Sequence, residues 1–148
     1  ILVSKMVDVV SAEKRSAMMS NIRSKNTRPE VCVRQHLHSL GYRYRLGTKI
    51  FGFRPDIVLS KYQTAFFIHG CFWHRHGGCK IASTPKSRKD FWQDKFKKNI
   101  ERDRRNKQCL ADHGWGQIVV WECSVRDKSF LDFNFISAID NGGFHEVG

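Results

Sequence analysis

The chain has 148 residues, 41% hydrophobic and 12% aromatic, with 26 Lys and Arg against 14 Asp and Glu for a formal charge of +12. That length suits one domain with its own core, and the charge balance points to a polyanionic partner. Five cysteines speak against a complete disulfide framework, Lys5 and Asp8 interrupt any signal peptide, and no apolar run nears the ~20 residues of a membrane span. A soluble, reduced, cytoplasmic protein is expected.

Residues 11–25 are polar and basic, with Met18, Met19 and Ile22 on a helical spacing. They read as an N-terminal arm or helix that orders on a partner, ahead of a single domain over 26–148. Thr27-Arg-Pro-Glu30 is a helix start: Thr27 can cap, Pro29 suits the first turn, and Glu30 stands at the capping-box position. Val33, Leu37 and Leu40 mark the buried face, and Gly41 ends the helix. Tyr42–Leu46 alternates apolar residues with Arg and predicts a strand. Pro55–Leu59 and Thr64–Ile68 predict neighbouring core strands joined by the polar turn at 60–63.

Ser87-Arg-Lys-Asp90 reads as a second capping signature, opening a long helix to about His113 that Gly114 closes. Gln117–Trp121 predicts a short buried strand, and Phe130–Ile139 a last amphipathic helix. The order helix, three strands, helix, strand, helix implies an α/β fold with helices against a mixed central sheet.

The densest chemistry lies between His69 and Cys79. Cys71, His76 and Cys79 are spaced C-x4-H-x2-C, and zinc favours such thiolate and imidazole donors in a tetrahedral set. Cys123, just after a predicted core strand, is the best fourth ligand. Two thiolates favour a structural site, and a catalytic zinc using His69 or His74 is the rival. Asp56 opens an apolar strand, where its carboxylate suits either magnesium or a capped turn. Glu30 is explained by capping and is kept as a marginal carboxylate. His69 and His74, outside the zinc set, are candidates for proton transfer. Lys95, Asn99 and Asp103 fall at i, i+4, i+8 on one helical face, from which Asp103 could orient an imidazole or simply meet solvent and nearby cations. Phe72, Trp73 and Trp92 read first as core, and alternatively as wedges into a base stack. The basic runs at 86–89, 97–98 and 102–105 suit phosphate contacts.

Taken in order, Arg54-Pro-Asp56, Phe67-Ile-His-Gly-Cys-Phe-Trp-His74, Phe91-Trp92, Asn99-Ile-Glu-Arg-Asp103, Gly114-Trp115 and Trp121-Glu-Cys123 closely resemble the very-short-patch-repair (Vsr) DNA mismatch endonucleases. The resemblance runs from about Arg15 to Cys123. It implies a restriction-endonuclease-like core with a structural zinc. It also implies magnesium-dependent nicking, with two ions, of duplex DNA 5′ to the thymine of a T:G mismatch. Such mismatches arise from deaminated 5-methylcytosine, so the family works beside cytosine-5 methyltransferases in bacteria, and a monomer is expected.

By the same resemblance Asp56 and the Ile68 backbone carbonyl bind magnesium, and Ile68 stands where a well-known member has threonine. His69 and His74 are active-site histidines supported by Asp103, with His74 the favoured base, and Glu30 lies at the margin. Cys71, His76, Cys79 and Cys123 are the zinc set. Phe72, Trp73 and Trp92 are the major-groove wedge, Met19 the minor-groove wedge, and Lys95 and Asn99 contact the mismatch. Three rivals stand beside this reading: a restriction-type nuclease on unmismatched DNA, a non-catalytic zinc protein that binds distorted DNA, and a single-zinc hydrolase.

Overall fold

The computed structural model describes residues 26–148. The expected arm at 1–25, and Met19 with it, lies outside the described residues. Helix α1 (Arg28–Ser39) begins as its sequence dictates: the Thr27 hydroxyl accepts from the Glu30 N–H and proline stands in the first turn. Strands β1 (Ile57–Leu59) and β2 (Thr64–His69) form a hairpin through a short 3₁₀ turn that ends at Gln63 in the left-handed region. A long loop then leads into α2 (Lys89–Asp112), β3 (Gly116–Trp121), the short α3 (Glu122–Arg126), α4 (Phe135–Asn141) and β4 (Phe144–Val147).

The sheet runs β1-β2-β3-β4. β1 and β2 are antiparallel, whereas β2, β3 and β4 are parallel, each linked to the next through helix. The α/β architecture with a mixed central sheet is therefore as the sequence implies. The two-residue period of the strands divides the core. Phe66, Ile118 and Val120 pack with α1 and α4 on one face. Ala65, Phe67, Val119 and Trp121 pack with Leu110 of α2 on the other. Burying each large apolar side chain contributes roughly 1.5–3 kcal/mol. The same alternation carries His69, two residues beyond Phe67, to the α2 side of the sheet.

Three local expectations are corrected. Tyr42–Leu46 is not a strand: only a single bridge, Arg45 to Val58, joins it to the sheet edge. The segment from Phe130 begins as a 3₁₀ turn (Ser129–Asp132), and the helix proper starts after Asn134, whose side chain accepts from the Ser137 N–H. At the start of α2, Ser87 does not cap; Arg88 holds the cap position at φ +54° with no side-chain cap bond. In addition, β4 completes the sheet where no strand was expected. Its buried Val147 pairs with Val120, while Phe144 and Glu146 are exposed, so the half-exposed stretch lacks a strong apolar signal.

Candidate active site and metal centre

The C-terminal end of β2 and the end of β3 meet beside α2, and a cleft of about 860 Å³ opens there. His69 is in register with Trp121 across the parallel pair, so the loop after β2 and the turn after β3 leave the sheet side by side. Asp56 precedes β1, and its backbone N–H donates to the Phe66 carbonyl. Its Oδ2 accepts from the Ile68 N–H at 2.8 Å, which pins the carboxylate against β2. Burial foremost pushes the Asp56 carboxyl up to about 6; the Ile68 N–H works the other way, and the Glu30 charge adds to the rise.

Glu30 lines the same cleft and is only 5% exposed. Its role is more than capping. The carboxylate reaches the Asn26 N–H at 3.0 Å, one residue before the cap, and accepts from Arg34 Nη2 at 3.1 Å. Two carboxylates thus face one cavity, with Arg34 offsetting part of their charge.

Across the cleft, the rings of His69 and His74 stack at 3.9 Å with an interplanar angle of 1°. Asp103, projecting from α2, lies 2.6 Å from His74 Nδ1 and 3.9 Å from His69 Nε2. The helical face of Lys95, Asn99 and Asp103 therefore lines the cleft, with Lys95 exposed and the other two half-buried. Burial, reinforced by His74, pushes His69 down to about 3, so it is neutral at ordinary pH. His69 Nδ1 is buried without a hydrogen-bonding partner among the described residues. The short bond to Asp103 suits an Nδ1–H tautomer of His74, leaving Nε2 able to accept a proton.

Behind the histidines, Cys71, His76, Cys79 and Cys123 bring their ligand atoms within 4.8 Å of one another. Cys71 Sγ and Cys123 Sγ lie 3.6 and 3.5 Å from His76 Nδ1. Bonds of ~2.3 Å to sulfur and ~2.0 Å to nitrogen at tetrahedral angles imply about 3.6 Å between such donors. Burial pushes the Cys71 thiol up to about 12, while the Ile81 N–H draws the Cys79 thiol down. The cluster could hold a metal ion, which would displace those protons. His69, His74 and Asp103 form a second, separate group of potential ligands. Cys32 and Cys109 lie apart from both clusters.

The aromatics form one cluster at the rim. Phe72 meets Trp73 edge-on at 5.1 Å and Trp92 at 5.5 Å. All three are half-buried, neither sealed into the core nor free of it. Asn99 Nδ2 donates to the Trp73 carbonyl at 3.1 Å, and Lys95 Nζ lies 5.8 Å from the Trp73 ring.

Two neighbours had no assigned role in the sequence. Trp121 stacks on His76 at 4.2 Å and meets His69 edge-on at 5.1 Å, so one indole separates the two clusters. Glu122 accepts from the Cys71 N–H at 3.4 Å and pairs with Arg126. Their adjacency to Cys123 was the only signal available, since the contacts come from strand register.

Comparison with known proteins gives the family. A family model described as DNA mismatch endonuclease Vsr matches residues 7–80. The type II nicking enzyme V.XorIIP of Xanthomonas oryzae pv. oryzae is 46% identical over 135 residues, covering 91% of this chain and 98% of that protein. V.NmeAIP, a type II nicking enzyme of Neisseria meningitidis serogroup A, is 49% identical over 84% of this chain and 88% of its own length. The DNA mismatch endonuclease Vsr of Escherichia coli K12 is 37% identical over 85% and 80%. Among solved structures, the catalytic domain of the homing endonuclease I-Bth0305I superposes with a TM-score of 0.50 over 72% of this chain and 87% of that domain, at 17% identity, a likeness of fold alone. With relatives of this similarity along most of its length, the chain belongs to the Vsr family of DNA endonucleases.

Proposed function

We propose that this endonuclease nicks one strand of duplex DNA on the 5′ side of the thymine in a T:G mismatch. The observation that carries the reading is one cleft that joins Asp56, the stacked histidines and Asp103 to Trp73, whose ring packs with Phe72 and Trp92. Hydrolysis needs a proton acceptor and charge neutralisation at the phosphate, and strand-local detection of a mismatch needs groups that can enter a weakened step. Two relatives are nicking enzymes by name, which favours a single-strand cut over a double-strand one.

Asp56 fits a hard cation: its carboxyl is raised by burial and faces a second carboxylate, a repulsion that a divalent ion relieves. Asp56, with the backbone carbonyl of Ile68, would hold magnesium, of which two ions are proposed. Bound there, magnesium supplies an activated water and neutralises charge on the phosphate. His74, oriented by Asp103, takes a proton through Nε2. Neutral His69 donates a hydrogen bond to the phosphate or the leaving oxygen. Glu30 sets the charge at the margin. The Cys71, His76, Cys79 and Cys123 set is proposed to bind zinc as a scaffold, since four protein donors leave no open position for substrate. Phe72, Trp73 and Trp92 enter the stack from the major groove, and Lys95 and Asn99 contact the mismatch. The protein would act as a monomer of one domain over 26–148, in the bacterial cytoplasm, beside a cytosine-5 methyltransferase.

The test is magnesium-dependent cleavage of otherwise identical T:G and T:A duplexes. Only the T:G duplex should be nicked, on the thymine strand, and Asp56→Ala should lose at least about 10³ of that rate. Equal cutting of both duplexes would favour the restriction-type reading. Nicking that survives Asp56→Ala would remove this aspartate from the chemistry.

A further inference from the structure

We propose that Arg75 is a positioning residue that sets the stance of the Phe72–Trp73 pair for entry into the duplex. This role presupposes that Phe72 and Trp73 are the inserted residues. Arg75 lies between Cys71 and His76 in sequence, yet its side chain turns away from the metal cluster and toward the rim. Nη1 donates to the Phe72 carbonyl at 3.3 Å and to the Ser83 carbonyl at 3.2 Å. Nη2 donates to Thr84 Oγ1 at 2.9 Å. The guanidinium also lies 4.3 Å from the Phe96 ring centroid and 5.7 Å from that of Phe72.

One planar fork thus ties three chain segments together: the aromatic pair, the strap at Ser83–Thr84 and helix α2 at Phe96. Phe96 is buried and itself touches Phe72 and Trp92, so Arg75 rests on the floor beneath the rim aromatics. On the opposite side, Asn99 holds the next carbonyl, that of Trp73. The carbonyls of both wedge residues are therefore gripped by side chains while their rings remain half-buried. A pair that must leave its packing and push between bases needs a backbone that does not yield, because its displacement by about 1 Å forfeits alignment at the phosphate.

The backbone of Arg75 supports the assignment. Its φ is +55°, a left-handed conformation that glycine adopts without strain and a long side chain does not. A residue whose only task was to turn the chain would be better as glycine, so the side chain is what the position uses. Lysine cannot replace it, since its ammonium lacks the planar fork that reaches two carbonyls and a hydroxyl at once.

Arg75→Gly is the decisive variant, because it relieves the turn while removing the fork, and Arg75→Lys keeps the charge. The readout is fluorescence of 2-aminopurine placed beside the T:G step, on binding of full-length protein without magnesium. Zinc content and melting temperature are measured on the same samples. Wild type should raise the fluorescence. Both variants should lose most of that rise and about tenfold or more in nicking, with zinc and melting temperature near wild type. Thr84→Val, which removes one of the three polar contacts, should shift both readouts in the same direction by less. A full fluorescence rise with Arg75→Lys would reduce Arg75 to a charge near phosphate and overturn the proposal, as would a full rise with Arg75→Gly. Loss of zinc from Arg75→Gly would assign Arg75 to the metal loop instead. Absence of any rise with wild type would instead overturn the insertion of Phe72 and Trp73 itself.

Discussion

Asp56 illustrates a conflict between stability and chemistry within one residue. Its carboxyl is raised from 3.8 to about 6, chiefly by burial. A group whose folded pKa is raised contributes stability below its unfolded pKa and loses it as pH rises through the folded one. The contribution of the protonated form is therefore complete below about pH 4 and is lost as pH rises through about 6, so that ionisation is opposed by up to ~3 kcal/mol at pH 7. Asp56→Asn mimics the protonated state. Thermal unfolding without added magnesium should find it more stable than wild type by about 1–3 kcal/mol at pH 7 and little different at pH 4, while nicking is lost. A destabilised Asn variant at pH 7 would contradict the burial described here. Much of this grouping was legible through the family resemblance, whereas residue types alone left Asp56 as a possible turn cap and Asp103 as a possible solvated carboxylate. Less legible were distances and partners. Glu30 and Arg34 are an i,i+4 pair on the predicted helix, but nothing in the chain indicated that Asp56 would take the Ile68 N–H, since that depends on backbone placement at a strand's end.

At the scale of elements, legibility followed burial. β2 and β3 are buried almost throughout and were read from their apolar runs. β4 exposes half its residues and Tyr42–Leu46 makes only one bridge, so pattern overstated one and missed the other. The segment between β2 and α2 is different in kind. It carries only a short 3₁₀ turn at Lys80–Ala82 and no long run of backbone ladder, so side-chain contacts hold it, and the proposed metal would add to them. Cys123, at the start of α3, is the proposed ligand that would tie this segment to the sheet. Cys123→Ser should drop zinc below one per chain in metal analysis. It should also lower the unfolding free energy by on the order of 3 kcal/mol. That is less than the ~10–16 kcal/mol that zinc supplies to small zinc-folded peptides, because here both hydrophobic cores remain. Full zinc retention by Cys123→Ser would show that the fourth donor lies elsewhere.

For the molecule as a whole, charge and shape divide the work of recognition. The net charge of +12 gives affinity for any duplex, and Lys95 and Arg102 on the cleft wall extend that field to the candidate active site. Phosphate contacts release counterions, so they weaken steeply with salt but carry little sequence information. The proposed insertion of the rim aromatics would be the reverse: it gains stacking and pays unstacking, neither of which releases many ions. Affinity for T:G and for T:A duplexes should therefore fall in parallel as salt rises. With six or more phosphates contacted, the loss between 50 and 200 mM is about 10³-fold or greater. The ratio of the two affinities should stay constant within about twofold. Equilibrium binding by fluorescence anisotropy, at several salt concentrations without magnesium, measures both slopes directly. If the T:G preference itself collapsed with salt, discrimination would rest on cationic contacts such as Lys95 and not on Phe72 and Trp73. Parallel slopes would mean that the basic surface brings the enzyme to DNA and the aromatic rim chooses where it stops.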